Sequence, residues 1–257
     1  MKASYAHYTL IFRQPAGTSR GVLTDKETYF LKLEDEDMPG VFGLGECAVF
    51  RGLSADDVPA YEDKLRELCA NISADKETDL HEFPSIRFGL ETAINDFANG
   101  CRRQPFPSDF TEGMSAIPIN GLVWMGTKEE MLRRIDDKIK AGFTTIKLKV
   151  GAIDTESELD LVRHIRKVFP PEVLTIRLDA NGGFTPDNAL RKLSDFARYG
   201  IHSIEQPIKQ GQWEAMRRIC SESPIDIALD EELIGIHTPE RMGEMLDAVR
   251  PKYIILK

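Results

Sequence analysis

From residue 115 onward, short apolar segments alternate with longer amphipathic ones, and this alternation restricts the fold more than any other feature. Near-continuous apolar strands that alternate with helices are typical of the parallel sheet of an α/β protein, with both faces of the sheet covered. Six such strands fit two architectures: an open doubly wound sheet, or a (β/α)₈ barrel that is cut short. The predicted strands are 116–123, 144–150, 174–180, 202–206, 225–230 and 253–257, and 128–141 and 186–199 are examples of the predicted helices.

Each predicted strand from the second to the sixth ends in a charged residue. The steps from 149 to 179, 205, 230 and 257 are 30, 26, 25 and 27 residues, about one strand and one helix each. One charged residue at a strand end is often only a solvated loop residue. Five at a regular step favour a site at the mouth of a barrel, where the C-terminal ends of the strands converge. These residues are Lys149, Asp179, Glu205, Asp230 and Lys257.

Side chains alternate between the two faces of a strand, and this alternation adds further residues to the face of the charged strand ends. Lys147 shares the face of Lys149, because successive side chains of a strand point to opposite sides. Arg177 and Asn181 share the face of Asp179 for the same reason. We therefore expect these side chains to converge on one site.

The three carboxylates of this set have no histidine or cysteine beside them. Asp179, Glu205 and Asp230 suit a hard cation that prefers oxygen ligands, Mg²⁺ first and Mn²⁺ second. Such a cation would bind a substrate carboxylate and stabilise the enolate that forms when the α-proton leaves. Lys149 and Lys257 would then present one lysine to each face of the substrate.

The first 110 residues have a different pattern, with strands followed by helices, which is typical of an α+β unit. A proline-rich connection at 105–107 separates this unit from the alternation that follows. We therefore predict an N-terminal α+β domain at 1–110 and a barrel domain at 111–257. The first domain has predicted strands at 8–12, 28–33 and 41–48, predicted helices at 54–71 and 85–101, and a predicted loop at 15–21.

Composition argues against several classes of function. The net charge of −9 is unfavourable for a nucleic-acid partner, which requires a basic surface. No apolar run approaches the roughly 20 residues that span a bilayer, and the N-terminus lacks the apolar core of a signal peptide. A cytoplasmic protein without a membrane partner is therefore expected. The cysteines are widely scattered, which does not favour a zinc site or a disulfide framework; they are Cys47, Cys69, Cys101 and Cys220.

As an ordered set, the motifs of the barrel resemble the muconate-lactonizing subgroup of the enolase superfamily. The set comprises Lys147-Leu148-Lys149, Arg177-Leu178-Asp179-Ala180-Asn181, Glu205-Gln206-Pro207, Asp230-Glu231 and Lys257. The N-terminal part resembles the capping domain of that superfamily, with Gly43-Leu44-Gly45-Glu46 at its third strand. Within the subgroup, the sequence is most similar to the o-succinylbenzoate synthase family of menaquinone biosynthesis. Ser19-Arg20-Gly21, in the capping loop, and the run around Asp179 carry this similarity.

The resemblance implies a magnesium-dependent lyase of small carboxylates. The implied reaction dehydrates 2-succinyl-6-hydroxy-2,4-cyclohexadiene-1-carboxylate to o-succinylbenzoate. Lys149 would remove the α-proton and then help the hydroxyl to leave as water. Lys257 would stabilise the enolate from the opposite face by a cation–π contact, and Lys147 would assist electrostatically.

The resemblance also implies four residues that contact the substrate or support the lysines. Ser19 and Arg20 belong to the loop that would close over the succinyl tail. Arg177 would add positive charge, and Asn181 would support the arrangement of the lysines.

Members of this superfamily have two further barrel strands, so the resemblance implies a barrel that is truncated after strand six, with its C-terminal strands missing. The exposed edges of strands one and six would favour association, so a homo-oligomer is an additional expectation. Little activity is expected of the chain as it stands.

Two alternatives use the same residues. One is an N-acylamino-acid racemase or dipeptide epimerase of the same superfamily, and the other is a catalytically inactive binding protein on a degenerate barrel.

Overall fold

The structure is a computed structural model, and it describes residues 1–18 and 21–256. The chain forms two compact units. The first contains Met1–Ala16 and Leu23–Ile117, and the second contains the chain from Pro118 onward.

The first unit is a three-stranded sheet with two helices. The strands lie in the order β1 (Lys2–Thr18), β2 (Gly21–Glu34) and β3 (Phe42–Cys47), with β2 and β3 antiparallel. The helices are α1 (Tyr61–Ser73) and α2 (Pro84–Ala98). Alternate residues of β2, such as Tyr29 and Leu31, pack with Leu65 of α1 and Ile86 of α2 in one apolar core.

Strand β3 lies very close to helix α2, which explains the glycines of the third strand. A Cβ atom at Gly43 would collide with the carbonyl oxygen of Ala93, and one at Gly45 would collide with that of Gly89. Gly89 itself has no room for a side chain beside Cys47. The Gly-x-Gly pattern of β3 is therefore a packing requirement between strand and helix.

Two local predictions in this unit are wrong. Strand β1 continues to Thr18 and β2 begins at Gly21, although proline and glycine at 15–21 predicted a loop; strand pairing overrides local composition at 15–18 and at Gly21, and residues 19 and 20 lie outside the described residues. Helix α1 begins at Tyr61 rather than Ser54. Ser54 Oγ instead accepts a hydrogen bond from Phe50 N, and Asp57 accepts one from Gly52 N, so these side chains fold the preceding turn.

The second unit is a parallel sheet of six strands in sequential order, each adjacent pair being parallel. Its strands are β4 (Gly121–Val123), β5 (Thr145–Lys149), β6 (Thr175–Asp179), β7 (Ile201–Glu205), β8 (Asp226–Leu229) and β9 (Tyr253–Ile254). Its helices are α3 (Lys128–Lys140), α4 (Thr155–Arg166), α5 (Ala189–Ala197), α6 (Trp213–Glu222) and α7 (Pro239–Val249), and a short 3-10 helix spans Glu231–Leu233. A doubly wound sheet reverses its strand order at a switch point, whereas a barrel wall does not. The sequential order therefore decides between the two predicted architectures, and the barrel prediction is confirmed.

One face of this sheet packs on the helices and the other carries the charged residues. Ile146, Leu148, Ile176, Leu178 and Ile204 share one buried core with residues from helices α3 to α7. The intervening residues of the same strands point to the opposite face. Within residues 1–18 and 21–256, no helix is long and apolar enough to cross a membrane.

Candidate active site

Strand register places the lysines and the first carboxylate side by side. Lys147 and Lys149 of β5 are Cα partners of Arg177 and Asp179 of β6. Partners in a parallel sheet point to the same face. The two KxK lysines therefore share a face with Asp179, whereas alternation in the sequence related residues of one strand only.

The second carboxylate reaches the same level because of an irregularity in the sheet. Ile176 is the partner of Ile201, but the next partners are Arg177 with Ser203 and Asp179 with Glu205. One extra residue, His202, is inserted in β7 at this point. With an unbroken register Asp179 would be opposite Ile204, which belongs to the apolar core, so the bulge brings the two carboxylates together.

Four ionic or polar contacts bind the lysines to this cluster. Lys149 Nζ lies 2.6 Å from Asp179 Oδ2 and 2.7 Å from Asn181 Oδ1. Lys147 Nζ lies 3.0 Å from the same Asp179 oxygen and 2.7 Å from Glu205 Oε2. Asp179 is completely buried, so its charge is offset by two ammonium groups and not by water.

The charges of the cluster shift its pKa values in opposite directions. Burial and the negative charge of Asp179 raise the pKa of Glu205 to about 7. Burial also acts on Asp179, but the charges of Lys149 and Lys147 outweigh it and lower the pKa of that carboxyl. Burial opposes the charged form of Lys147, yet Asp179 and Glu205 raise its pKa above the ordinary lysine value. Lys147 is therefore a fixed positive charge at neutral pH, and the raised pKa of Glu205 lies near neutrality.

The third carboxylate, Asp230, directly follows β8 and is buried. Gln206, which had no role in the sequence analysis, positions Asp230. Gln206 is fully buried, and its Oε1 accepts hydrogen bonds from Asp230 N at 3.1 Å and Glu232 N at 3.2 Å. Its Nε2 donates to Ile208 O and to Glu232 Oε2. The only signal in the sequence was the position of Gln206 between Glu205 and Pro207 at a strand end.

The other predicted site residues fall into two groups. Arg177 lies on the face of Asp179, with Nη1 3.4 Å from Asn120 Oδ1. Asn181 Nδ2 donates to Glu231 Oε1 at 2.9 Å while its Oδ1 holds Lys149. Ser19, Arg20 and Lys257 lie outside the described residues.

The carboxylates suit a hard cation by their chemistry. Asp179, Glu205 and Asp230 are buried oxygen donors at the ends of three consecutive strands, and the charges of Asp179 and Asp230 both raise the pKa of Glu205. In the described part of the chain, no three acidic, histidine or cysteine side chains are arranged as ligands of one metal ion. The Lys147 ammonium instead lies between Asp179 and Glu205. The donor types fit Mg²⁺, and metal binding would require Lys147 to share these oxygens.

The fold and the site together define a (β/α)-barrel protein with acidic and lysine residues at the ends of consecutive strands. Residues 130–253 match the family of enolase C-terminal domain-like proteins. The chain is 42% identical to o-succinylbenzoate synthase of Desulfotalea psychrophila, over 100% of this chain and 78% of that protein. The chain belongs to the enolase superfamily.

Solved structures agree with this assignment. MenC from Desulfotalea psychrophila superposes with a TM-score of 0.86 at 37% identity, covering 100% of this chain and 78% of that one. O-succinylbenzoate synthase from Thermosynechococcus elongatus, a complex with Mg in its active site, has a TM-score of 0.80 at 26% identity, covering 100% of this chain and 76% of that one. Epimerases of the superfamily match over less of their length: L-Ala-D/L-Glu epimerase of Bacillus subtilis is 31% identical over 85% of this chain and 62% of that protein.

Proposed function

We propose that this chain is a carbon–oxygen lyase that dehydrates 2-succinyl-6-hydroxy-2,4-cyclohexadiene-1-carboxylate to o-succinylbenzoate. The observation that carries the proposal is the position of Lys149. Its Nζ is held between Asp179 and Asn181 at the C-terminal end of β5, in a chain that is 42% identical to an o-succinylbenzoate synthase. C-terminal strand ends are where barrel enzymes carry out their chemistry.

Lys149 would act twice in this reaction. As the neutral amine it takes the α-proton from C1, which leaves an enolate on the substrate carboxylate. As the resulting ammonium it gives that proton to the hydroxyl group on C6, so that the C–O bond breaks and water leaves. The ring becomes aromatic, Lys149 returns to the amine, and the atoms balance as substrate to product plus water.

The remaining residues would stabilise the negative charge of the enolate. Lys147 remains positively charged because Asp179 and Glu205 raise its pKa, and Arg177 adds a guanidinium on the same face. Asp179, Glu205 and Asp230 would hold Mg²⁺, with Mn²⁺ as the second choice. When bound, the metal supplies positive charge to the substrate carboxylate.

Three residues of the proposal rest on the family resemblance alone. Lys257 would face the substrate opposite Lys149, and Ser19 and Arg20 would contact its succinyl tail. The proposal also includes the cytoplasmic location expected from the sequence, and assembly as a homo-oligomer stays a prediction.

Turnover of the cyclohexadiene substrate by the purified full-length protein tests the assignment. Formation of o-succinylbenzoate with Mg²⁺, and its loss when the metal is chelated, is the expected result. Absence of product with Mg²⁺ present would show that the assignment is wrong.

Racemisation or epimerisation of an N-acylated amino acid or dipeptide is the second candidate, supported by the similarity to L-Ala-D/L-Glu epimerase. Incubation with L-Ala-L-Glu in D₂O separates the two. An epimerase incorporates deuterium at the α-carbon of the dipeptide. The proposed lyase should instead turn over the cyclohexadiene much faster than it exchanges this proton of the dipeptide.

A further inference from the structure

We propose that Glu231 is a positioning residue for Lys149, acting through the side chain of Asn181. The inference rests on the proposed function, in which Lys149 is the base. Glu231 follows Asp230 in the sequence and begins the short 3-10 helix after β8, 82 positions after Lys149 by residue number. The sequence motif Asp230-Glu231 gives no role to Glu231 and does not specify a contact with the base.

The contact is made by a continuous chain of two hydrogen bonds. Lys149 Nζ donates to Asn181 Oδ1 at 2.7 Å, and Asn181 Nδ2 donates to Glu231 Oε1 at 2.9 Å. An ammonium has only donors, and a carboxylate has only acceptors. One orientation of the Asn181 amide satisfies both neighbours, and the reverse orientation satisfies neither. Glu231 therefore selects the orientation that presents an oxygen to Lys149.

The backbone of Asn181 is fixed by the same cluster. Its φ of +44° lies in the left-handed region, which asparagine tolerates better than most residues. Its backbone N–H donates to Asp179 Oδ1 at 3.1 Å. The backbone is thus bound to one partner of Lys149, while the described hydrogen bonds of the side chain go to Lys149 and Glu231. Rotation of the amide is the remaining freedom, and Glu231 restricts it.

Glu231 is buried at a cost that packing alone does not explain. The residue is 8% exposed, and its Oε2 is buried without a hydrogen-bond partner among the described residues. A half-satisfied buried carboxylate lowers stability, and such costs concentrate at functional sites. The neighbouring Glu232 differs, because its two oxygens accept hydrogen bonds from Gly211 N and Gln206 Nε2. Glu232 fastens loops, whereas Glu231 points to the residue that holds the base.

Two substitutions of similar size, one without and one with a hydrogen-bond acceptor, test the inference. Glu231→Met removes the acceptor, and Glu231→Gln retains one through its Oε1. We expect Glu231→Met to lower kcat by about 10- to 100-fold with little change in KM, as for other residues that orient an active-site group. Glu231→Gln should restore most of kcat. The double variant with Asn181→Ala should lose no more than Asn181→Ala alone, because both substitutions break the same chain.

Two measurements that need no turnover accompany the kinetics. Crystal structures should show Lys149 Nζ displaced from Asn181 in Glu231→Met and in place in Glu231→Gln. Glu222→Met is the control, since the Glu222 side chain is 50% exposed and pairs only with Arg218 among the described ion pairs, and it should leave Lys149 Nζ in place. Titration calorimetry should show unchanged Mg²⁺ affinity in Glu231→Met.

Each outcome separates this inference from the proposed function. Displacement of Lys149 in Glu231→Met, in a protein that does not turn over the cyclohexadiene, supports the positioning role and rejects the assigned reaction. Full kcat in Glu231→Met, in an active protein, overturns the positioning role and leaves the reaction intact. A loss of Mg²⁺ affinity equal to the loss of kcat would also overturn it, because Glu231 would then act through Asp230.

Discussion

Lys149 and Asp179 are Cα partners in the parallel pairing of β5 with β6, and the Lys149 ammonium lies 2.6 Å from Asp179 Oδ2. The ion pair is therefore set by strand register and not by a flexible loop. Asp179 is also bound by Lys147 at 3.0 Å, so one buried carboxylate orients both lysines of the KxK motif. Replacing either lysine leaves the other to offset the charge of Asp179.

Because Asp179 is bound by both lysines, we expect Lys149→Ala to remove activity without unfolding the protein. We expect kcat to fall by about 10²- to 10⁴-fold, the usual contribution of a general base. Mg²⁺ binding should remain, because none of the three carboxylates is altered. Steady-state kinetics and calorimetry measure the two effects, with Lys140→Ala, at the exposed end of α3, as the active control. Loss of folding in Lys149→Ala would instead favour a structural role and the inactive-barrel alternative.

Mg²⁺ affinity should depend on pH through Glu205. Burial and the charge of Asp179 raise the pKa of this carboxyl to about 7, and the metal must compete with its proton below that pH. The affinity should rise by about tenfold per pH unit up to pH 7 and then level off. Asp179 adds no slope in this range because its pKa is lowered. Calorimetry from pH 5.5 to 8 measures the profile, and a constant affinity over that range would contradict it.

The raised pKa of Glu158 predicts that folding stability depends on pH. The residue is 1% exposed, and burial raises the pKa of its carboxyl above 4.5 despite hydrogen bonds from the N–H groups of Gly151 and Ala152. Between pH 4.5 and the raised native pKa, the folded state binds more protons than the unfolded state. The free energy of unfolding therefore falls as pH rises through this window and stays lower above it.

Glu158→Gln should remove that contribution, because the amide does not ionise and its oxygen still accepts a hydrogen bond. The stability of the variant relative to the natural protein should increase from pH 4 to pH 8, as measured by urea unfolding. Glu156→Gln is the matched control on the same helix turn, since the Glu156 side chain is 70% exposed. Parallel profiles for Glu158→Gln and the natural protein would refute the prediction.

Arg166 should be among the residues that most stabilise the second unit. Its guanidinium donates to four carbonyl oxygens in the segments that follow α4 and α5, those of Phe169, Leu174, Tyr199 and Gly200. Arg166→Ala leaves these oxygens without the charged donor and should lower the free energy of unfolding by about 3 kcal/mol. The free energy of unfolding of Arg166→Lys should lie between those of Arg166→Ala and the natural protein, because one ammonium cannot reach all four acceptors. Chemical unfolding measures both, with Arg191→Ala, which is 68% exposed, expected within about 0.5 kcal/mol of the natural protein.

Much of the second unit could be predicted from the sequence because its signals are local. The predicted strand 144–150 contains the observed Thr145–Lys149, and the predicted helix 128–141 contains Lys128–Lys140. Thr127 and Glu130 form a capping box at the start of that helix, so even the boundary has a local cause. The start of α1 was predicted wrongly because Ser54 and Asp57 accept hydrogen bonds from the turn before the helix. Whether these side chains bind the turn or begin the helix depends on how the loop folds.

The sequence by itself determined that lysines and carboxylates end consecutive strands, that Lys147 and Lys149 share one face of their strand, and that Arg177, Asp179 and Asn181 share one face of theirs. Alternation and spacing are properties of one segment at a time. Only the tertiary structure decided that Asp179 lies level with Glu205, that Gln206 fastens Asp230, and that Glu231 reaches Lys149 through Asn181. These contacts depend on the register between strands, and the extra residue at His202 shifts that register by one. Register is fixed by packing between segments that are distant in the chain, so the same charged residues could have faced one another or the apolar core.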